Sequence, residues 1–354
     1  MPYPEPSPQS IFFEKLQASL KKGFPFCAYR KPGDNLVRAV FQSNKVIYPT
    51  QGFQDNGFVF APYDWKENAV FIPEDEVMVC HFESAFPKSA MQTKLLNQDQ
   101  ESYVDLVKKA ISTIKTSALE KVVVSRKVST KLDKSPLTLF NEILKSYPNA
   151  FCYLWHHSKI GTWCGATPES FLKLDKNNVQ TMALAGTLWA DEDDTPNWTQ
   201  KEIHEQQLVT DFISDSLGPF LKGIVTGQVT TVKAGGVFHL KTPVSGTLRV
   251  PDQLKGLIEV LHPTPAVCGT PTELANAFIT QNETHNRRFY CGFLGELNPG
   301  GQPKADLFVN LRCMELEKKA AHIYVGGGIT RDSKPEQEWE ETQFKSKTML
   351  ALLQ

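Results

Sequence analysis

An acidic segment near the C-terminus carries side chains that could hold a divalent metal ion. Glu338 and Glu341 are three positions apart in a predicted helix, so both carboxylates lie on one face. Lys345 follows Glu341 by four positions and lies on the same stripe. Mg²⁺ takes oxygen ligands, typically one or two carboxylates together with water and substrate oxygens. In an isolated helix, however, the same spacing is more often a solvated acidic face with a Glu–Lys pair.

A second acidic segment lies at the start of another predicted helix. Its Glu202, His204 and Glu205 fall within four positions, and this spacing would let them bridge to the first helix through a metal ion. An exposed helix start fits the same residues, because the helix dipole favours acidic side chains there.

Three glycines, Gly326, Gly327 and Gly328, follow an apolar strand and precede the C-terminal helix. Successive glycines let backbone N–H groups approach an anion, so they could form a nest for a carboxylate or a phosphate. A tight turn fits them equally well. Two phosphate-binding motifs are excluded, because the sequence has neither the G-K-[ST] of a Walker loop nor a G-x-G-x-x-G fingerprint in a βαβ unit.

Lys121 and Glu169 are candidates for proton transfer. Lys121 precedes the β-branched run Val122–Val124, which predicts a buried strand, and apolar surroundings can lower a lysine pKa enough for it to act as a base. Glu169 follows a turn at the head of another strand, where a half-buried carboxyl with a raised pKa could serve as a general acid. Taken singly, a lysine that marks a strand end and an ordinary turn carboxylate are both commoner.

Arg312 lies inside the apolar run Phe308–Met314, which predicts a strand. An arginine on the inward face of a strand needs an anionic partner, whereas one that points to solvent carries no functional meaning. The histidines show no metal-ligand spacing, and the sequence has no G-x-S-x-G elbow.

The elements that must position these residues alternate irregularly. Apolar periodicity predicts helices over residues 98–119, 136–146, 199–217, 251–260, 271–280 and 335–353. The last helix opens on a predicted capping box, with Ser333 as N-cap and Glu336 at N3. Short apolar runs predict strands over residues 58–60, 77–79, 122–124, 151–155, 171–174, 229–232, 307–311 and 323–325. Several strands follow one another across short turns, which predicts an α+β fold with large antiparallel sheets.

The composition of the 354 residues excludes several function classes. A net charge of −1 provides no long-range field for nucleic acid or an anionic membrane. The seven cysteines are scattered without a C-x-x-C pair, so neither a disulfide framework nor a cysteine-based zinc site is expected. No signal-peptide pattern opens the sequence, and no apolar window reaches the ~18 residues of a spanning helix. A cytoplasmic, soluble protein is therefore expected.

The order and spacing of these motifs resemble the chorismate-utilising enzymes, which include isochorismate, salicylate, anthranilate and aminodeoxychorismate synthases. The resemblance runs from about residue 100 to the C-terminus, whereas residues 1–95 match the variable N-terminal part only loosely. The matching segments are Lys121–Arg126, Gly165–Glu169, Leu184–Thr187, Lys201–Val209, His239–Pro243, His262–Val267, Arg288–Gly292, Arg312 and Gly326–Lys345.

The resemblance implies a single domain over residues 1–354, with two antiparallel β-sheets packed together, helices outside them and the site in a deep cleft. In the implied reaction, Lys121 activates a water molecule that attacks ring carbon 2 of chorismate. Glu169 protonates the departing 4-hydroxyl. Mg²⁺, held by Glu205 and Glu341, with Glu338 directly or through water, neutralises the ring carboxylate.

The resemblance also implies a set of substrate-binding residues, which includes a cradle for the enolpyruvyl carboxylate and the wall beside the ring. The set comprises Gly186, Thr187, His239, Ala266, Tyr290, Arg312, Gly326, Gly327, Gly328 and Lys345.

Two positions indicate the branch of the family. Members that use ammonia as the nucleophile usually lack a lysine at the position of Lys121, so its presence favours water. Salicylate synthases, which go on to eliminate pyruvate, tend to carry a hydroxylated residue where Ala266 stands. The chain therefore resembles isochorismate synthases, with a salicylate synthase and a non-catalytic chorismate binder as the alternatives.

The same resemblance implies a monomer that acts on chorismate and needs no nucleic acid, membrane or amidotransferase subunit. Its isochorismate would feed menaquinone, a catechol siderophore or salicylate. Two departures concern the first acidic helix. The family's usual Glu-His pair is Glu205-Gln206 here, and its Lys-Asp opening is Lys201-Glu202, so the groups around the metal ligands are expected to differ.

Overall fold

The structure, a computed structural model, describes residues 4–66, 69–82, 93–188, 196–234 and 237–354. Two large antiparallel sheets account for its strands. The first sheet has nine strands, in the spatial order β15 (Gly269–Thr270), β7 (Lys121–Lys131), β19 (Ala320–Ile329), β18 (Cys313–Leu316), β9 (Gly161–Thr167), β8 (Phe151–His157), β1 (Phe26–Arg30), β2 (Leu36–Phe41) and β6 (Glu76–His81).

The second sheet has ten strands. Nine of them follow the order β12 (Leu221–Thr226), β14 (Val237–Leu248), β11 (Asn178–Leu188), β10 (Ser170–Asp175), β17 (Lys304–Val309), β16 (Phe293–Leu297), β4 (Gly57–Ala61), β5 (Val70–Pro73) and β3 (Tyr48–Pro49). The tenth, β13 (Thr230–Ala234), pairs with β14 on the same edge as β12. The α+β class with two packed antiparallel sheets is therefore confirmed.

Seven α-helices occur in the described ranges, and none of them is long and apolar enough to cross a membrane. They are α1 (Gln9–Lys22), α2 (Gln100–Thr116), α3 (Pro136–Ser146), α4 (Gln200–Leu217), α5 (Leu254–Leu261), α6 (Thr272–Asn282) and α7 (Pro335–Leu353), with a 3-10 helix at Pro299–Gly301. The predicted helices all form, although α5 begins three residues later than expected, because Gln253 is its N-cap. Helix α1 was not predicted.

Aromatic side chains fill the space between the two sheets. Tyr29 of the first sheet packs on Phe58 of the second, with ring centroids 5.1 Å apart. Phe60 stacks on Phe289 at 4.1 Å. Two further apolar clusters lie outside the first sheet, beneath α1, α3 and α7 and beneath α2 and α6. Helices α1, α2, α3, α6 and α7 thus cover the outside of the first sheet, whereas α4 packs on β11 and β14 of the second sheet.

Two neighbouring chain segments cross from one sheet to the other. The segment after Thr167 leads from β9 to β10, and residues 310–312 lead from β17 back to β18. Arg312 therefore does not lie inside a strand, as predicted, but in this crossing, with a left-handed φ of 47°. The apolar run around it looked continuous because the crossing, like the strands, is enclosed by both sheets.

Two further local predictions were wrong. Ser333 is not the N-cap of α7, which is Lys334, and its hydroxyl instead accepts a hydrogen bond from the Thr330 amide. The capping box belongs to α4, where the Thr199 side chain and Glu202 close it. The three glycines form neither a nest nor a turn, because Gly326–Gly328 are paired residues of the β7–β19 ladder, near the C-terminal end of β19.

Candidate active site

One cavity, lined by both sheets and by α4 and α7, brings together most of the residues predicted to do chemistry. Its walls include Glu169, Gly186, Thr187, Glu205, His239, Ala266, Tyr290, Arg312, Gly326, Gly327, Gly328, Glu341 and Lys345. Lys121 and Glu338 lie directly behind this wall. Lys121 contacts Glu205 of the wall, and Glu338 contacts Lys201 of α4.

Lys121 is fully buried at the start of β7. The strand is held on both edges, by β19 and by the short strand β15, where Thr270 pairs with Lys121. This pairing fixes the backbone and directs the side chain towards α4. The ammonium Nζ lies 2.9 Å from Oε1 of Glu205, so the candidate base and a candidate metal ligand form one buried ion pair.

Glu169 follows Pro168 in the crossing between β9 and β10, and its side chain reaches the cavity. The residue is only 4% exposed. Burial raises the pKa of this carboxyl to about 8, although Lys121, Lys345 and Arg312 act in the opposite direction. At neutral pH the group therefore carries a proton, as a general acid must.

Arg312 supplies the cavity with a cation that has no carboxylate partner among the described residues. Burial lowers the pKa of its guanidinium, while Tyr290 and Glu341 act against that change. The Tyr290 ring stacks on Tyr324 with centroids 5.6 Å apart, which holds its hydroxyl near the strand at Gly326. A free guanidinium beside a hydroxyl can bind a carboxylate in a bidentate manner.

The wall at Gly186 is shaped by a β-bulge between β11 and β14. The register shifts between Ala185 and Thr187, and Gly186 takes the left-handed φ of 72° that the bulge requires. A side chain at this position would also come within 3.0 Å of the Glu202 carbonyl oxygen. The bulge places Thr187 directly opposite His239 in the ladder.

His239 is neutral and has a defined tautomer. Burial, together with Arg312 and Lys345, lowers the pKa of its imidazole to about 3. Nδ1 lies 3.1 Å from the Gly186 carbonyl oxygen and 3.2 Å from the Thr187 hydroxyl. Because a carbonyl oxygen only accepts, Nδ1 carries the proton and Nε2 is left as an acceptor.

Three carboxylates from α4 and α7 lie at one end of the cavity, and each is paired with its own lysine. Lys121 pairs with Glu205, Lys201 Nζ lies 2.7 Å from Glu338, and Lys345 Nζ lies 2.6 Å from Glu341. Within the described ranges, no three side chains of the types Asp, Glu, His and Cys converge on a common metal position. Each carboxylate points towards its lysine instead.

The carboxylates differ in their protonation. Burial and the neighbouring Glu341 raise the pKa of Glu338 to about 7, whereas Lys201 and the Ser333 hydroxyl oppose the rise. Burial alone would also raise the pKa of Glu205, but the surrounding ammonium groups, that of Lys121 first, outweigh it and lower the value. The lysines thus keep the charge on Glu205, whereas at Glu338 burial outweighs the opposing effect of Lys201.

The glycines of β19 provide the floor for these carboxylates. A methyl group on Gly327 would lie 3.3 Å from Oε2 of Glu338 and 3.4 Å from Oε1 of Glu341. On Gly328 it would overlap Oε1 of Glu205 and lie 3.0 Å from Cε of Lys121. The floor is therefore a cradle that any side chain would fill. A set of three carboxylates with no sulfur or imidazole fits a hard cation such as Mg²⁺.

The other polar residues of the first acidic helix have structural tasks. Glu202 is buried in the capping box and His204 is exposed, so neither joins Glu205 at the cavity. Gln206, which replaces the expected histidine, ties α4 to the second sheet. Its side chain accepts from the Ala185 amide and donates to the Ala183 carbonyl oxygen and the hydroxyl of Thr242.

Lys201 was not among the predicted site residues, although it contacts Glu338. The signal available in the sequence was its spacing of one helical turn from Glu205. That spacing predicts a pair within α4, whereas the side chain reaches across to α7.

Comparison with known proteins places this geometry in context. The model of the family described as "Chorismate binding enzyme" matches residues 73–354. Isochorismate synthase DhbC of Bacillus subtilis is 30% identical over 272 residues, which cover 71% of this chain and 67% of the relative. Isochorismate synthase EntC of Escherichia coli K12 is 26% identical, covering 97% of this chain and 94% of the relative.

Among solved structures, a protein described as a 2,3-dihydroxybenzoate-specific isochorismate synthase, DhbC from Bacillus anthracis, has the same fold. The TM-score is 0.80 at 24% identity, over 96% of this chain and 99% of that one.

Proposed function

Because the chain belongs to the family of chorismate-binding enzymes, we propose that it is an isochorismate synthase that converts chorismate to isochorismate with Mg²⁺. The observation that carries the proposal is that two buried groups suited to proton transfer lie at one cavity: Glu169 in its wall and Lys121 directly behind it, against Glu205. A protein that only bound chorismate would need neither a base nor an acid there.

The proposed reaction exchanges a hydroxyl group between two ring carbons. Lys121, acting in its neutral amine form, takes a proton from a water molecule as the water oxygen attacks ring carbon 2. The ring double bonds shift, and the 4-hydroxyl leaves with the proton of Glu169. One water molecule is consumed at carbon 2 and one is released at carbon 4. The proton that Lys121 gains returns through solvent to Glu169 before the next turnover.

The enolpyruvyl carboxylate is assigned to Arg312 and the Tyr290 hydroxyl. Arg312 is the cation without an ion-pair partner among the described cavity residues, and it lies in the same crossing region as Glu169. His239 Nε2 is an acceptor and suits a substrate hydroxyl beside Thr187. These contacts orient the ring so that carbon 2 and carbon 4 lie towards different catalytic groups.

Glu205 and Glu341 are the proposed metal ligands, and Glu338 is proposed to act directly or through water. When bound, Mg²⁺ would supply positive charge that neutralises the ring carboxylate of the dianionic substrate. The absence of side chains at Gly327 and Gly328 lets all three carboxylates approach the same stretch of strand.

Two observations favour isochorismate as the released product. Ala266 lines the cavity without a hydroxyl, at the place where salicylate synthases tend to carry one. Lys121 favours water over ammonia, so no amidotransferase subunit is expected. A cytoplasmic monomer is proposed.

Purified protein incubated with chorismate and Mg²⁺ tests the proposal by chromatography of the products. Isochorismate that forms only with Mg²⁺ is the expected result. Unchanged chorismate would refute the enzymatic proposal, and salicylate released with pyruvate would assign the chain to the salicylate synthases instead.

A further inference from the structure

The three lysines at the acidic end of the cavity differ in what else they contact. Lys121 is the proposed base, and Lys345 lines the cavity and also donates to the Gly326 carbonyl oxygen at 3.0 Å. Lys201 lies outside the cavity wall, and in the described part of the chain its ammonium donates one hydrogen bond, to Glu338. The geometry leaves Lys201 without a catalytic task.

The partner of Lys201 is the most enclosed of the three carboxylates. The Glu338 side chain is 2% exposed, whereas that of Lys201 is 26% exposed. A buried carboxylate without a cation is strongly destabilising, and a second carboxylate nearby adds repulsion. Lys201 is thus the solvent-reaching half of a pair whose other half cannot reach water.

Lys201 also joins the two helices that carry the proposed metal ligands. It lies one turn before Glu205 on α4 and bonds to Glu338 on α7. The Lys201 ammonium is therefore the one of the three that forms an ion pair from α4 to α7.

We propose that Lys201 is a built-in counter-ion that takes the place of the metal ion in the metal-free protein. It holds α4 and α7 together around the carboxylates and moves towards solvent when the divalent cation enters. Lys201 and the cation therefore compete for the same negative charge. The inference rests on the proposed Mg²⁺ dependence and adds to it a residue that tunes metal affinity without contacting the substrate.

Competition predicts opposite effects on metal affinity and on the metal-free protein. Without Lys201, Mg²⁺ should bind more tightly, by on the order of tenfold, because no ammonium must be displaced. The metal-free protein should unfold at a lower temperature, because Glu338 loses its cation. If Lys201 merely supported the site, its removal would weaken Mg²⁺ binding instead.

The test is calorimetric titration of the full chain with MgCl₂ in the absence of substrate, together with thermal unfolding in a chelator. Lys201→Met and Lys201→Gln remove the charge, and Lys201→Arg keeps it. Lys334→Met is the matched control, since it removes one positive charge from the exposed N-cap of α7. We expect tighter Mg²⁺ binding in the first two variants and near-wild-type affinity in the other two. Thermal stability of the first two should drop in chelator and recover with Mg²⁺.

Unchanged or weaker Mg²⁺ binding in Lys201→Gln would overturn the inference. The Gln variant is included because it retains a hydrogen-bonding group, so the test stands even where Lys201→Met does not fold without metal. Such a result, with wild-type protein that still binds Mg²⁺ and forms isochorismate, would leave the proposed function intact. Wild-type protein that binds no Mg²⁺ would overturn both.

Discussion

Glu169 and Arg312 occupy adjacent backbone segments where the chain crosses between the two sheets. The Val309 amide donates to the Glu169 carbonyl oxygen at 3.0 Å, and the Ala166 amide donates to the Arg312 carbonyl oxygen at 3.0 Å. The proposed acid and the proposed carboxylate-binding cation are thus fixed relative to each other by the joint between the sheets. Rigid placement of this kind is what positions a substrate for reaction.

The protonation of Glu169 predicts how activity depends on pH. Its protonated form is the active one and its pKa is raised to about 8, so kcat/KM should fall as pH rises through that value. Glu169→Gln cannot donate a proton and should lose activity by on the order of 100-fold or more. Initial rates between pH 6.5 and 9.5 check this. A profile that stays level to pH 9.5 would remove Glu169 as the acid.

Lys121→Ala should abolish turnover and leave chorismate binding largely intact. A positioned base contributes about 10²- to 10⁴-fold to a rate, and Lys121 lies outside the set assigned to the substrate carboxylate. Lys131→Ala, at the exposed end of the same strand, is the control and should behave as wild type. Steady-state kinetics with a chorismate titration of each variant gives both quantities. Near-normal rates in Lys121→Ala would exclude it as the base.

Glu341→Gln should impair Mg²⁺-dependent turnover far more than folding. The Mg²⁺ concentration for half-maximal rate should rise at least about tenfold, because a carboxylate ligand is lost, while partly exposed helix substitutions usually cost little stability. Glu340→Gln is the matched control, since its side chain points outward from the same helix. Metal titrations of activity and thermal unfolding distinguish the effects. An unfolded Glu341→Gln protein would indicate a structural role instead.

Gly328→Ala should disable the site through a single methyl group. The group would overlap Oε1 of Glu205 and press on Cε of Lys121, so the ion pair must move. We expect turnover to fall at least about tenfold and stability to fall by about 1–3 kcal/mol, as in other overpacked sites. Gly52→Ala is the control, where the nearest atom would be 3.9 Å away. Urea unfolding and kinetics measure both, and wild-type turnover in Gly328→Ala would contradict the account of the floor.

The sequence predicted the elements whose apolar residues repeat regularly. Helix α2 buries Tyr103, Val107, Ala110 and Ile114 at the spacing that the pattern showed. The same kind of pattern could not separate β17 from β18, because a short enclosed crossing is as apolar as a strand. The position of Arg312 therefore depended on the packing of two sheets, which periodicity does not record.

The conformation of the glycine run was wrongly predicted, and Lys201 was missed, for a related reason. Gly327 and Gly328 are glycines because carboxylates from α4 and α7 occupy the space beside them, and Glu205 is more than a hundred positions away in the chain. Lys201 pairs with a helix that lies equally far along the sequence. Contacts between distant segments produce no local sequence pattern. The sequence therefore predicted only the residue types involved, acids and lysines at helical spacing, and not which of them would pair.

The measurement that tests the central claim most directly is conversion of chorismate in ¹⁸O-labelled water with Mg²⁺, followed by mass spectrometry of the product. If Lys121 directs water to ring carbon 2, isochorismate carries one ¹⁸O atom and is two mass units heavier than the chorismate consumed. Formation of this labelled product should cease without Mg²⁺ and in Lys121→Ala. Isochorismate without the label, or chorismate left unchanged, would contradict the account.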